Sequence, residues 1–193
     1  MNVTIISTSP RKESNSLKVA HFMKGLMEKQ DGVNVSLLDF EDADIPMVGR
    51  GSLSLESMTP FQKELIGKWD SADLVLFVVP EYNWITGGEL INAFHQLGNK
   101  RFAHLFDNRA FAFAGVSSGK GGRLPGIEMT TLVNKIISVL NGHSIVLPKI
   151  FESQYTQEAL NSKGESKGDA SYERAAGDFV SFIVKMGRRW KTD

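Results

Sequence analysis

The chain contains no cysteine. Disulfides, thiol nucleophiles, iron–sulfur ligation and most structural zinc sites are excluded with it. No apolar run is long enough to span a bilayer; the longest, residues 74–79, has the length of a buried strand. The amino terminus has no apolar leader core, and Arg11 and Lys12 follow the first apolar segment rather than precede it, so a cytoplasmic protein is expected. An excess of one charge sign is missing too. Lysine plus arginine number 22, and so do aspartate plus glutamate. That balance argues against nucleic acid or a membrane surface as partner, since both favour a basic excess or a basic face. The small cluster Lys185, Arg188, Arg189 and Lys191 reads as favourable charge at the end of the last helix. His21, His95, His104 and His143 match no ligand spacing, and no metal is expected.

Strand and helix periodicities alternate along the rest of the chain. Strands are expected at residues 3–7, 33–39, 74–79, 109–116 and 144–147, the third apolar at every position and therefore buried on both faces, and the fifth ended by Pro148. Helical stripes run through Val19, Phe22, Met23, Leu26 and Met27, through Leu90, Ile91, Phe94 and Leu97, through Met129, Leu132, Val133, Ile136, Ile137 and Leu140, and from Tyr172 to Ile183. Thr59-Pro60-Phe61-Gln62 reads as a capping box that opens a helix ending near Trp69, and Thr86-Gly87-Gly88-Glu89 as a second box. Asn141-Gly142 is a helix stop. Residues 45–58 and the polar stretch 152–170 read as loops. With 193 residues, no internal repeat and no linker, the expectation is one α/β domain over residues 1–193, built on a doubly wound parallel sheet of five strands. Ligands of such sheets bind beyond the carboxyl ends of the strands.

Three loops lie at those ends. After the first strand come Ser9, Pro10, Arg11, Lys12, Glu13, Ser14, Asn15 and Ser16, directly before a helix. A helix N-terminus presents unpaired N–H groups and a positive dipole end, and an arginine can hold two phosphate oxygens at once. Capping explains Ser14 or Asn15; the whole run is more than a cap needs and suits a phosphomonoester. After the third strand come Pro80, which is expected to end the ladder, then Glu81, Tyr82, Asn83 and Trp84, two flat aromatics in a turn followed by two glycines that allow close backbone approach. After the fourth come Ser117, Ser118, Gly119, Lys120, Gly121, Gly122 and Arg123, a glycine-rich loop that is neither a dinucleotide fingerprint nor a P-loop. Glu81 reads as a loop residue and Asp39 as a strand-end cap, because neither has an arguable base partner. Arg123 reads either as a contact to a dinucleotide phosphate or as a salt bridge.

Taken together, Ser9-Pro10-Arg11-Lys12-Glu13-Ser14, Pro80-Glu81-Tyr82-Asn83 and the 117–122 loop resemble the NADPH-dependent FMN reductase family of flavodoxin-like proteins, over residues up to about 149. The resemblance implies a three-layer sandwich with strand order 2-1-3-4-5. FMN would be the cofactor and NADPH or NADH the co-substrate. Ser9, Arg11, Ser14, Asn15 and Ser16 would hold the FMN phosphate. Pro80, Glu81, Tyr82, Asn83 and Trp84 would line the isoalloxazine, and Ser117, Ser118, Gly119 and Gly122 would border its other edge. Where the family has Pro-Gly and then Leu-Lys-Asn-Ala, this chain has Gly87-Gly88 and then Leu90-Ile91-Asn92-Ala93.

The activity implied is hydride transfer from the nicotinamide to FMN and on to a small-molecule acceptor, such as a quinone, an azo compound, a metal oxyanion or a free flavin. No protein acid or nucleophile is required. A homodimer or homotetramer is implied as well, with Phe102, His104, Leu105 and Phe106 reaching the neighbour's pocket. Two rivals remain at this point. A flavodoxin-type electron carrier would favour a charged face, which the balanced composition does not supply. A sensory protein that kept the fold and lost turnover is the other.

Overall fold

A computed structural model describes residues 1–191. In chain order the elements are β1 (Asn2–Ser7), α1 (Asn15–Met27), β2 (Asn34–Asp39), α2 (Pro60–Asp70), β3 (Leu74–Tyr82), β4 (Ile85–Thr86), α3 (Gly88–Leu97), a 3₁₀ segment (Lys100–Phe106), β5 (Ala110–Val116), α4 (Arg123–Leu140), β6 (Ile145–Ser153), α5 (Thr156–Ala159) and α6 (Ala170–Trp190). Five strands form a parallel sheet in the order β2-β1-β3-β5-β6, the flavodoxin-like arrangement. The added strand β4 pairs antiparallel with the end of β3.

The central strand shows how the layers arise. Successive side chains of a strand point to opposite faces. Leu74, Leu76 and Val78 therefore pack with Val19 and Met23 of α1 and Phe179 and Ile183 of α6. Val75, Phe77 and Val79 pack with Trp69 of α2, Phe94 of α3 and Val133 of α4. Trp69 is the hub of the second layer, with edge contacts to Phe77, Phe94, Phe106 and Phe111, and its indole N–H donates to the Leu105 carbonyl at 2.7 Å. Phe102, Leu105 and Phe106 are buried in this cluster. They are not free to enter a neighbour's pocket, as the resemblance implied, because the 3₁₀ segment turns them inward into the cluster around Trp69. His104 alone of that group is exposed.

Helix ends follow local chemistry. The Thr59 box forms in full: its hydroxyl accepts from Gln62 N–H and the Gln62 side chain returns to Thr59 N–H. The second expected box does not form. Gly87 is the residue that caps α3, and Thr86 is drawn away by Glu128 of α4, whose carboxylate accepts from Thr86 N–H at 2.8 Å and from its hydroxyl at 2.9 Å. Asn141 closes α4 in the left-handed region, and Gly142 follows where a Cβ would stand 2.4 Å from the Phe106 carbonyl oxygen.

Two prolines do not stop their strands. Pro80 pairs in register with Val116 and β3 continues to Tyr82. Pro148 lies inside β6, which runs on to Ser153. β6 is an edge strand, and its register against β5 shifts between Phe111 and Phe113, beside the proline; edges and bulges are where a missing N–H costs least. The stretch 152–170 is also more ordered than a loop, since it holds the end of β6, α5 and a bridge between Leu160 and Ser166.

Candidate functional site

The carboxyl ends of β1, β3 and β5 meet in an open cleft of about 240 Å³. Ser9, Arg11, Ser14, Asn15, Ser16, Pro80, Glu81, Tyr82 and Ser118 line it, together with Lys12, Glu13, Lys18, Val116 and Gln157.

Its first wall is the turn between β1 and α1. Ser14 is the N-cap, accepting from Leu17 N–H at 3.0 Å. Glu13 reaches that position only through a positive φ of 48°, a strained backbone for a residue with a side chain. The opening N–H groups of a helix have no partner within it, and the first turn of α1 carries no acidic residue to occupy them. Lys18, one turn on, donates to the Asn15 side chain at 3.2 Å. Ser16 is 1 % exposed and its hydroxyl has no hydrogen-bond partner among the described residues. A buried hydroxyl without a partner is costly; here it stands in the wall of a cleft that already presents Arg11, Lys12, Lys18 and a helix N-terminus. The donor set fits an anionic group carrying several oxygens, and a phosphomonoester is such a group.

Tyr82 forms the second wall. The Arg11 guanidinium lies over its ring, 4.5 Å from the centroid, and its hydroxyl is 3.0 Å from Ser9 Oγ. The Cε2 and Cδ2 atoms of the ring lie against Gly87, where a Cβ would come within 3.1 Å. The bareness of Gly87 thus makes room for Tyr82. Beyond it, Asn83 and Trp84 make the two-residue turn between β3 and β4, both with positive φ, 49° and 76°. Positive φ at both central positions is the primed hairpin turn, usually filled by Asn-Gly; tryptophan takes the glycine position and stands 75 % exposed.

Glu81 joins the second wall to the third. Its carboxylate accepts from Gly122 N–H at 2.6 Å and from the Ser117 hydroxyl at 3.2 Å. A Cβ on Gly121 would lie 2.3 Å from Glu81 Oε1, and one on Gly115 only 1.6 Å from the Gly122 carbonyl oxygen. Gly115 and Gly122 are needed for backbone-to-backbone contact, with Gly122 at φ 92°, and Gly121 makes room for the Glu81 carboxylate. Ser117, Gly119, Gly122, Asn83 and Trp84 lie outside the lining of the cleft itself. Arg123 pairs with Glu152 at 2.6 Å. Asp39 lies opposite Ser7 across β1 and β2. Burial pushes its carboxyl above the ordinary range, opposed by the Ser7 hydroxyl and the N–H groups of Phe40 and Glu41. It remains the end of a strand, with no base in hydrogen-bond reach among the described residues.

Sequence reasoning missed Lys12, Glu13, Lys18, Val116 and Gln157 as lining residues. Lys18 could have been found from helical spacing, since it follows Asn15 by three positions and shares its face. Gln157 carries no such signal.

A family model described as NADPH-dependent FMN reductase matches residues 1–151 of the chain. No curated protein sequence matches it. Among solved structures, the chain is similar to FerB, a flavoenzyme NAD(P)H:(acceptor) oxidoreductase from Paracoccus denitrificans, with TM-score 0.76, 20 % identity and 97 % of each chain covered. It is similar to RosB, solved with bound 8-demethyl-8-formylriboflavin-5′-phosphate, with TM-score 0.65, 13 % identity, and coverage of 99 % of this chain and 79 % of that one. It is also similar to a flavodoxin from the domain Archaea, with TM-score 0.51, 10 % identity, and coverage of 95 % and 99 %. At these identities the likeness is one of fold.

Proposed function

The chain belongs to the NADPH-dependent FMN reductase family, and on that premise we propose that it passes reducing equivalents from a nicotinamide through FMN to a small oxidised acceptor, a quinone, azo compound, metal oxyanion or free flavin. FMN is the cofactor, NAD(P)H the co-substrate, and the activity that of an FMN-dependent NAD(P)H oxidoreductase. FMN, when bound, would supply the hydride-accepting and hydride-donating chemistry, and a nicotinamide and an acceptor that use the site in turn would make the scheme ping-pong.

The chain's own part is binding and orientation. Arg11, the first turn of α1 and the hydroxyls of Ser9, Ser14 and Ser16 would take the phosphate, with Asn15 beside them. The hairpin from Pro80 to Trp84 and the loop bearing Ser117, Ser118, Gly119 and Gly122 would border the ring. Glu81 holds the glycine loop in place by accepting from the Gly122 N–H and the Ser117 hydroxyl, so the loop that borders the ring is set before the ligand arrives and those two donors serve the loop itself. The observation that carries the phosphate assignment is the buried, unpartnered hydroxyl of Ser16 in the wall of the cleft. We further read the chain as one FMN-binding domain that assembles as a homodimer or homotetramer. The exposed apolar side chains of Trp84, Ile85, Leu124 and Ile127, on the β3–β4 hairpin and the first turns of α4, support that reading.

Purified protein carrying one equivalent of FMN, kept free of oxygen, is expected to oxidise about one equivalent of NADPH, to resume when a quinone is added and to stop when the quinone is spent. Bound FMN without nicotinamide oxidation would replace this reading by that of an electron carrier. Ser16→Ala separates folding from binding. Without flavin the variant is expected to be as stable as the parent or more so, by up to about 1 kcal/mol, because a buried unpaired hydroxyl is gone. Its FMN affinity is expected to fall about tenfold. Thermal melting without flavin and fluorescence titration with FMN check the two halves.

A further inference from the structure

The family match ends at residue 151, yet the cleft does not. Beyond it, β6 finishes at Ser153 and the short helix α5 turns back onto the glycine loop. Ser117 N–H donates to the Ser153 carbonyl at 2.9 Å, and the Tyr155 and Thr156 N–H groups donate to the Gly119 and Ser117 carbonyls at 3.0 and 3.3 Å. The Thr156 hydroxyl reaches the same Ser117 oxygen at 3.0 Å. This hydroxyl is fully buried and lies 2.8 Å from Ser153 Oγ, which is itself 2.8 Å from the Tyr172 hydroxyl at the start of α6. Burial pushes the Tyr172 phenol up to about 12, against the opposing pull of Ser153, so it stays protonated and able to donate through the neutral range. A buried hydroxyl chain with every member partnered is rigid. It fixes α5 against β5 and α6 and leaves the next residue, Gln157, exposed in the lining of the cleft alongside Arg11, Ser16 and Ser118. Lys167 Nζ holds Gln157 from behind, donating to its carbonyl at 2.7 Å.

We propose that Gln157 is a further ligand-contacting residue of the FMN site, its side-chain amide donating to the phosphate-bearing end of the cofactor. The inference rests on the FMN reading above and assigns a function to a segment the family match does not include. An amide suits the position: it adds a donor to an anionic ligand without adding charge.

The test is a fluorescence titration of the full-length chain, its Gln157→Ala variant and its Gln157→Glu variant with FMN and, separately, with riboflavin, which lacks the phosphate. Gln157→Ala is expected to weaken FMN about tenfold while riboflavin affinity and melting temperature stay unchanged. Gln157→Glu is expected to weaken FMN further, because it sets a carboxylate against the phosphate. Unchanged FMN affinity in both variants would overturn the assignment, as would equal losses for FMN and riboflavin. Failure of the parent chain to bind FMN would instead remove the functional reading beneath it.

Discussion

Arg11→Ala is expected to lower FMN affinity on the order of a hundredfold, the loss of a bidentate charge-assisted contact, with little change in stability. The side chain is exposed, and among the described residues its partner is the Tyr82 ring; such a cation–π contact is worth about 0.5–1 kcal/mol at an exposed site. The residue is therefore held ready over Tyr82 without being buried for the sake of the fold. Arg11→Lys is expected to fall between parent and alanine, since it keeps the charge and loses the planar fork. Fluorescence titration together with a melting curve for each variant measures both effects. A large loss of stability in Arg11→Ala would mean that the arginine is structural.

Gly115→Ala is expected to cost about 3 kcal/mol or more, which in a chain of this size lowers the melting temperature by about 10 °C. The reason is steric and leaves no escape through side-chain motion. The added methyl would sit 1.6 Å from the backbone oxygen of Gly122, and β5 is paired on both edges at Gly115, to Val79 and to Glu152. Either the strand or the loop has to move, and moving the loop breaks the Gly122 N–H bond to Glu81. FMN affinity should fall with stability in this variant. Gly119→Ala is the matched control, because nothing lies within 4 Å of the position a Cβ would take there; it should melt like the parent. Equal melting of the two variants would show that the backbone contact does not constrain the loop.

Much of this was legible in the residues, for reasons that differ by element. β3 announced itself because six consecutive apolar residues can only be satisfied by two covered faces, and the structure splits them between two clusters. The Thr59 box was readable because all its partners lie within one turn. Thr86 was misread because its partner, Glu128, lies 42 positions away, beyond any local pattern. The two prolines misled for a related reason: whether a proline ends a strand depends on whether a neighbour needs its N–H. Pro148 sits on an edge strand beside a register shift, and Pro80 lies past Val78, where the pairing of β3 with β1 has already ended. The β3–β4 hairpin hid because its turn is Asn-Trp, where the familiar signal is Asn-Gly.

The cleft divides in the same way. Ser9, Arg11, Ser14, Asn15 and Ser16 are consecutive or nearly so, and a strand followed by a helix brings them to one place without long-range information. Pro80, Glu81 and Tyr82 were reachable because β3 is the central strand and its end faces the same side. Gln157 was not reachable. Its place depends on a hydrogen-bonded chain through Ser153, Thr156 and Tyr172 to the carbonyl of Ser117, and a polar sequence gives no hint of which hydroxyls will be buried together.

In the proposed site the turn between β1 and α1 holds the phosphate of FMN. Phosphorus NMR of FMN titrated with the protein tests it at the atom concerned. The resonance is expected to move from its free position on binding, and the Arg11→Ala variant to need about a hundredfold more protein for the same flavin occupancy and to move the resonance less at that occupancy. A resonance that stays at its free position while the flavin fluorescence is quenched would place the phosphate in solvent and contradict the assignment of the turn.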